Sequence, residues 1–280
     1  MPYPILTLPY PFARRLHQLL SPDELENLQT AAGPDISQLK PIAQSLKMDY
    51  ASFTLSDFNV VTLTISNYND VVTMASCNPL IVKCKHLYVQ CLNADIFKKC
   101  NFMTKLYLTA EQLHIDRCTV DMKLLTAIAS IVNGVKRFET VNVENDVKLA
   151  GIFELFPRIT NIFMPHAYKG WLGDLLRQNV TGLMELSVKH TDFDELFSFR
   201  SEELYQFVQN QSPEFKFEIL LITPKNPIQT VIMDQSDIGN CILPLINPHF
   251  DIVEGENCKV KLAFGNDSDL ETWRLLQKSM

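Results

Sequence analysis

Short apolar triplets of β type recur along most of this chain and constrain its fold more than any other feature. Alternating apolar residues over a short run are typical of a strand. The first residues of the seven triplets lie 24, 19, 35, 21, 24 and 31 positions apart. The triplets are Leu63-Thr64-Ile65, Leu87-Tyr88-Val89, Leu106-Tyr107-Leu108, Val141-Asn142-Val143, Ile162-Phe163-Met164, Leu186-Ser187-Val188 and Phe217-Glu218-Ile219.

Helical patterns separate several of these triplets. The clearest lie within residues 124–132, 149–156, 172–176 and 204–208, and Ser201 is the predicted N-cap of the last. Strand, turn and helix returning every 20–35 residues or so predict an α/β fold of irregular strand–helix repeats around a parallel sheet. An ordinary α/β domain is the alternative. The short, uneven units and the absence of a glycine-rich phosphate loop favour the repeats.

The two ends of the chain have sequence patterns that differ from those of this body. Prolines interrupt the first residues, and two short helical patterns follow on either side of Pro22, with a third over about residues 37–47. Towards the other end, residues 228–233 and 259–264 are predicted strands, and residues 254–257 turn a hairpin between Phe250–Val253 and the second of them. Ser268 and Glu271 form a capping box that predicts a closing helix. We therefore expect a helical module over 1–48, the repeat body over 49–227, and a β-plus-helix cap over 228–280.

The N-terminal module resembles an F-box. That motif has a Leu-Pro start, an apolar helix, a break that contains proline, and a second helix with spaced leucines. The order and spacing match over about the first 30 residues, although Thr30-Ala31-Ala32-Gly33-Pro34 replaces the Cys or basic-aromatic signature of its later part. The matching residues, which the resemblance implies form or support an adaptor-docking surface, are Leu8, Pro9, Leu16, Leu19, Leu20, Pro22, Leu25 and Leu28.

An F-box before an irregular strand–helix body is similar to F-box proteins of the nematode type, or to those with leucine-rich-repeat-like bodies. The Asn that regular leucine-rich repeats carry after the strand triplet is absent, so any repeat is degenerate. The resemblance implies a substrate receptor of a cullin-RING ubiquitin ligase. Its F-box would dock on a Skp-type adaptor and its body would capture an unknown protein target. The leucines could instead cap the open end of the repeats.

Composition argues against several other classes of protein. The net charge is −7 and the pI about 5.4, which disfavours nucleic-acid binding. The seven cysteines form no C-x-x-C pair, and the six histidines form no H-x-x-x-H pair, so neither a metal nor a cofactor is expected. Neither a signal peptide nor a membrane-spanning run is visible, so we expect a cytoplasmic or nuclear protein with free thiols.

No catalytic motif is present, and a non-enzymatic binding protein is the expectation. His114 with Asp116 and Cys118, or His190 with Asp192 and Asp194, could be assembled into a catalytic site only by chance proximity. Three functions stay open: an adaptor-docked receptor, a repeat scaffold without a ubiquitin role, and an α/β enzyme with a hidden site. Large aromatic residues anchor interfaces, so the target-binding candidates are Phe163, His166, Tyr168 and Trp171.

Overall fold

The protein is a mixed α/β structure, as predicted. This computed structural model describes residues 20, 22–32, 45–55, 61–66, 71–74, 80–99, 106–141, 144–145, 147–164, 166–222, 235–254, 258–266 and 269–278. No helix within these ranges is long and apolar enough to span a bilayer.

Fifteen strands and eight helices form within the described ranges. The strands are β1 Ser45–Leu55, β2 Val61–Ser66, β3 Val71–Met74, β4 Leu80–Gln90, β5 Leu106–Asp116, β6 Thr119–Val120, β7 Val132–Asn133, β8 Arg137–Val141, β9 Glu144–Asn145, β10 Asn161–Met164, β11 Glu185–His190, β12 Lys216–Ile222, β13 Phe250–Val253, β14 Val260–Asn266 and β15 Asp269–Gln277. The helices are α1 Pro22–Ala32, α2 Ala94–Lys98, α3 Met122–Ala129, α4 Leu149–Leu155, α5 Trp171–Arg177, α6 Phe193–Leu196, α7 Ser201–Gln209 and α8 Gln235–Ile246.

One large sheet runs through the molecule, and its parallel strands follow the order of the chain. β1, β4, β5, β8, β10, β11, β12 and β14 lie side by side, each parallel to the next. Antiparallel strands complete the two edges: β2 and β3 beyond β1, and β15 and β13 beyond β14. Among these eight parallel strands the order contains no reversal of the kind that creates a ligand crevice in doubly wound α/β folds.

Register stacks apolar side chains in a continuous row across the eight parallel strands. Every member of this row is at most 1% exposed. Each large apolar side chain withdrawn from water contributes about 1.5–3 kcal/mol, so the row is a main source of stability. Its members are Ala51, Leu87, Leu113, Phe138, Ile162, Leu186, Phe217 and Val260.

Six of the eight helices form one layer on the same side of the sheet as this row. α2, α3, α4, α5, α7 and α8 contact one another in chain order. Short polar residues start three of the helices. Asp121 accepts a hydrogen bond from the Leu124 amide at 2.7 Å, and Asn93 and Asp192 cap α2 and α6 in the same way. The faces below these caps bury apolar residues such as Leu124, Leu125 and Ile128.

The pairing register gives a more even spacing between successive parallel strands than the triplets do. His86, Gln112, Arg137, Asn161 and Glu185 pair across successive strands and lie 26, 25, 24 and 24 residues apart in the chain. Gly134 accommodates one bend, between β7 and β8. Its φ is +83°, and a Cβ there would lie 3.2 Å from Thr109 Cγ2.

Two predictions for the C-terminal region are wrong. Phe250–Val253 does not form a hairpin with residues 259–264, because β13 pairs with β15 instead. Residues 269–277 form strand β15 rather than a closing helix, since pairing on both sides with β14 and β13 outweighs the local capping signal. The buried Leu275 is paired with Val260. Strand β14 also continues the series of parallel strands beyond residue 227, where the strand–helix body was expected to end. Residues 228–233 lie outside the described ranges.

Smaller differences occur at other element ends. The predicted third helix over 37–47 overlaps β1, which starts at Ser45, so the expected boundary at residue 48 falls inside a strand. Arg200, not Ser201, is the N-cap of α7, and the Arg200 amide donates a hydrogen bond to Glu203 Oε2 at 2.8 Å. Helix α3 ends at Ala129, and Val132 starts β7. Asn142 and Val143 of the fourth triplet lie outside the described ranges.

One polar residue interrupts the second buried row of the sheet. That row begins with Phe53, Val89 and Ile115, and on β8 its member is Thr140. Thr140 is only 4% exposed, and its hydroxyl has no hydrogen-bond partner within the described chain. A buried hydroxyl without a partner costs about 1–3 kcal/mol.

We expect Thr140→Val to raise the free energy of unfolding by about 1 kcal/mol, because valine keeps the shape and removes the unpaired hydroxyl. Urea denaturation would measure the change. Thr140→Ser is the matched control, since it keeps the hydroxyl, loses the methyl group and should destabilise the fold. A valine variant less stable than the wild type would mean that the hydroxyl has a partner.

Candidate functional site

The sheet face away from the helices carries two rows of half-exposed, mostly polar and aromatic side chains. We call the surface formed by these two rows the open face. One row consists of Tyr50, His86, Gln112, Arg137, Asn161, Glu185 and Lys216. The other consists of Ser52, Tyr88, His114, Glu139, Phe163, Ser187, Glu218 and Lys261.

Four rings stack on the N-terminal half of the open face. The ring centroids of Tyr50 and His86 are 5.1 Å apart, and the angle between the two ring planes is 16°. The centroids of Tyr88 and His114 are 4.8 Å apart, with an angle of 13°. His86 and His114 also stack on each other at 5.7 Å. Adjacent strands in a sheet are about 4.8 Å apart, so register alone brings these rings into contact.

His114 is the most constrained of the four rings. Its Nδ1 lies 3.1 Å from Glu139 Oε2, and its Nε2 lies 3.5 Å from His86 Nδ1. Burial lowers the pKa of His114 below its ordinary value of 6.5, and the neighbouring His86 and Arg137 lower it further. The Glu139 carboxylate opposes this shift without reversing it. The imidazole is therefore neutral at pH 7.

Charged groups on the C-terminal half of the open face pair mainly with one another. The Arg137 guanidinium lies 4.0 Å from the centroid of the Phe163 ring and 3.8 Å from Glu185 Oε2. The Lys261 ammonium lies 2.6 Å from Glu218 Oε1. This half therefore carries both signs of charge around one aromatic ring.

A cavity of about 540 Å³ lies at the carboxyl ends of β8, β10 and β11. Its lining includes the apolar residues Phe163 and Val141 and the polar residues His166, Lys189 and Thr140. The cavity thus opens beside the open face, and Thr140 is one of its lining residues.

The structure separates the four aromatic residues proposed from the sequence to bind a target. Phe163 and His166 both line the 540 Å³ cavity. Trp171 is fully buried, and its Nε1 donates a hydrogen bond to the Leu196 carbonyl at 2.9 Å, so it is a core residue. The Tyr168 hydroxyl donates to Asp174 Oδ2 at 2.9 Å, and burial followed by this bond raises its pKa. Sequence spacing could not show which of the four share a surface.

Of the predicted adaptor-docking residues, Leu8, Pro9, Leu16 and Leu19 lie outside the described ranges. Pro22 starts helix α1, and Leu20, Leu25 and Leu28 are half-buried. Glu26 on α1 accepts a hydrogen bond from the Ser45 hydroxyl and lies 2.5 Å from the Lys83 ammonium.

These contacts attach α1 to the first strands of the body. Burial alone would raise the pKa of the Glu26 carboxyl, but the bonds from Lys83 and Ser45 outweigh burial and lower it. A second cavity, of about 720 Å³, lies between α1 and the sheet, and Glu24, Lys83 and Arg158 are part of its lining. The helix is therefore held by polar contacts beside an open cleft.

Neither chance catalytic cluster forms a catalytic arrangement. His114 contacts Glu139 and His86, whereas Asp116 pairs with Arg117 at 2.9 Å. The Cys118 thiol donates to the carbonyls of Val89 and Asp116, and burial raises its pKa. In the second cluster, His190 Nδ1 accepts a hydrogen bond from the Asp192 amide at 2.8 Å.

The described cysteines are free thiols: Cys84, Cys91, Cys118, Cys241 and Cys258. Burial raises the pKa of Cys84 to about 12, so this thiol stays protonated and unreactive. Within the described ranges, no three His, Cys, Asp or Glu side chains lie close enough to hold a metal ion together.

In comparisons with known proteins, no protein family, no curated protein and no solved structure matches this chain.

The lowered pKa of His114 predicts a pH dependence of stability. In the unfolded chain this imidazole titrates near 6.5, so between the two pKa values the unfolded state binds more protons than the folded state. The free energy of unfolding should therefore fall as the pH is lowered through 6.5 towards the folded-state pKa.

His114→Gln should remove this part of the pH dependence. Chemical denaturation of both proteins between about pH 8 and about pH 5 would measure it. We expect the stability difference between wild type and variant to shift against the wild type at the acidic end. A difference that does not change with pH would contradict the assignment.

Proposed function

We propose that this chain is the substrate-recognition subunit of a cullin-RING ubiquitin ligase. In this proposal an F-box-like N-terminal module docks on a Skp-type adaptor, and a leucine-rich-repeat-like body binds a target protein. The observation that carries the proposal is the open face, where eight parallel strands in chain order present two rows of side chains on the side opposite helices α2–α5, α7 and α8.

The architecture of the body favours a binding role. Stacked strand–helix units create extended surfaces that repeat proteins use to bind partners. The central spacing of 24–26 residues lies within the 20–29 or so that is typical of leucine-rich repeats. Half-exposed tyrosines and an arginine paired with an aromatic ring are side-chain types that often dominate interface energies. The target surface would centre on Tyr88, His114 and Phe163.

The N-terminal part is consistent with a docking module. Helix α1 starts at Pro22, where the resemblance expects the second helix of the F-box to start. Leu25 and Leu28 are only half-buried, which leaves part of each side chain for a partner. The contacts of Glu26 with Ser45 and Lys83 hold this helix near the amino-terminal parts of β1 and β4. The 540 Å³ cavity lies at the carboxyl ends of other strands, β8, β10 and β11.

A scaffold without a ubiquitin role is the second candidate, and one observation favours it. Gln29 of α1 is buried, and Glu26 is bonded to both Ser45 and Lys83, so α1 covers part of the first strands. A helix that caps an exposed first repeat would make the same contacts. Binding of the adaptor separates the two functions.

We expect the full chain to co-purify with a Skp-type adaptor. The Leu28→Asp variant should lose the adaptor, because docking would bury the new carboxylate in an apolar contact and remove its hydration. Leu8→Ala with Pro9→Ala, and Leu16→Asp, should have the same effect. The matched control is Asn27→Asp, which adds the same charge at an exposed position of the same helix.

Circular dichroism and thermal unfolding would show that the variants remain folded. Loss of adaptor binding in a folded Leu28→Asp variant supports the receptor. If the wild-type chain does not bind the adaptor, the receptor function is wrong and the scaffold remains. If Leu28→Asp unfolds the chain, Leu8→Ala with Pro9→Ala decides.

A further inference from the structure

Two imidazole nitrogens face each other on the open face at a separation that suits metal coordination. His86 Nδ1 and His114 Nε2 are 3.5 Å apart. In a tetrahedral zinc site the Zn–N bonds are about 2.0–2.1 Å, so two nitrogen ligands of one ion lie about 3.4 Å apart. The two side chains come from the neighbouring strands β4 and β5.

The second nitrogen of His114 has the partner that metal-binding histidines usually have. Its Nδ1 lies 3.1 Å from Glu139 Oε2. A carboxylate in this position accepts the Nδ1 proton, which leaves the Nε2 lone pair directed at His86 and raises its basicity as a ligand. Glu139 would thus be a positioning residue for the metal ligand, not a ligand itself.

The surroundings keep both rings in position. Tyr50 stacks on His86 at 5.1 Å, and Tyr88 stacks on His114 at 4.8 Å and on His86 at 6.3 Å. His114 is half-buried and stacks on His86 at 5.7 Å as well. Little conformational entropy is then lost when an ion binds.

We propose that His86 and His114 bind a divalent transition-metal ion on the open face, with Glu139 orienting His114. Imidazole nitrogens select Zn²⁺, Cu²⁺ and Ni²⁺ over Mg²⁺ and Ca²⁺, and Cu²⁺ binds most tightly in this series. With two protein ligands, water fills the remaining coordination positions, which face the open side of the sheet. The inference does not depend on the receptor function, since metal binding is measured on the chain alone.

The competing explanation for the short distance is a hydrogen bond between the two rings. One imidazole would then donate its proton to the other, and no affinity for a metal would follow. The two histidines are 28 positions apart in the chain, so local spacing could not reveal them. A direct measurement of metal binding decides between the two.

Isothermal titration of the full chain with Zn²⁺ and electron paramagnetic resonance with Cu²⁺ test the proposal. We expect one saturable site and a Cu²⁺ spectrum with two imidazole nitrogens. His86→Gln and His114→Gln should each weaken binding by at least about tenfold and remove one nitrogen from the spectrum. Glu139→Gln should weaken binding by roughly 10–100-fold while both nitrogens remain.

His190→Ala and Cys91→Ser are the controls, because each removes a possible metal ligand outside the pair. Both should bind as the wild type does. The absence of saturable binding would overturn the proposal. Binding that is unchanged in both glutamine variants, or lost in Cys91→Ser, would also overturn it. Should a glutamine variant fail to fold, the nitrogen count of the wild-type Cu²⁺ spectrum still decides.

Discussion

The register between parallel strands is the constraint on which the rest of this structure depends. A shift by one residue would turn every side chain of a strand to the opposite face of the sheet. The buried row that runs from Ala51 through Phe138 to Val260 would then meet solvent, and the open-face row would enter the core. The apolar row therefore determines both what is buried under the helices and which side chains the open face presents.

Chain-ordered strands have a functional consequence. Because helices α2–α5, α7 and α8 lie in one layer, the successive parallel strands present their other side chains in rows along the open face. Residues far apart in the chain become neighbours in this way, because His114 contacts His86 on one adjacent strand and Glu139 on the other. A surface of this kind suits recognition of an extended partner better than enclosure of a small substrate.

Sequence reasoning predicted the elements whose signals are local. The apolar triplets identified six of the strands, and the helical patterns identified α3, α4, α5 and α7. It mistook β15 for a helix, because the pairing of Leu275 with Val260 is not visible in a local pattern. It also grouped Trp171 with Phe163, although one side chain is core and the other lies at the surface. The cross-strand contacts of His114 depend on register, which single triplets do not specify.

Distances between spin labels along one open-face row would test the chain-ordered sheet most directly. Labels carried by non-natural amino acids leave the native cysteines unchanged. From Ser52, Ser187 is five strands away and Lys261 seven strands away. At about 4.8 Å per strand, double electron–electron resonance should give about 24 Å and about 34 Å, with the second distance longer by roughly 10 Å. A Ser52–Lys261 distance equal to or shorter than the Ser52–Ser187 distance would contradict the strand order.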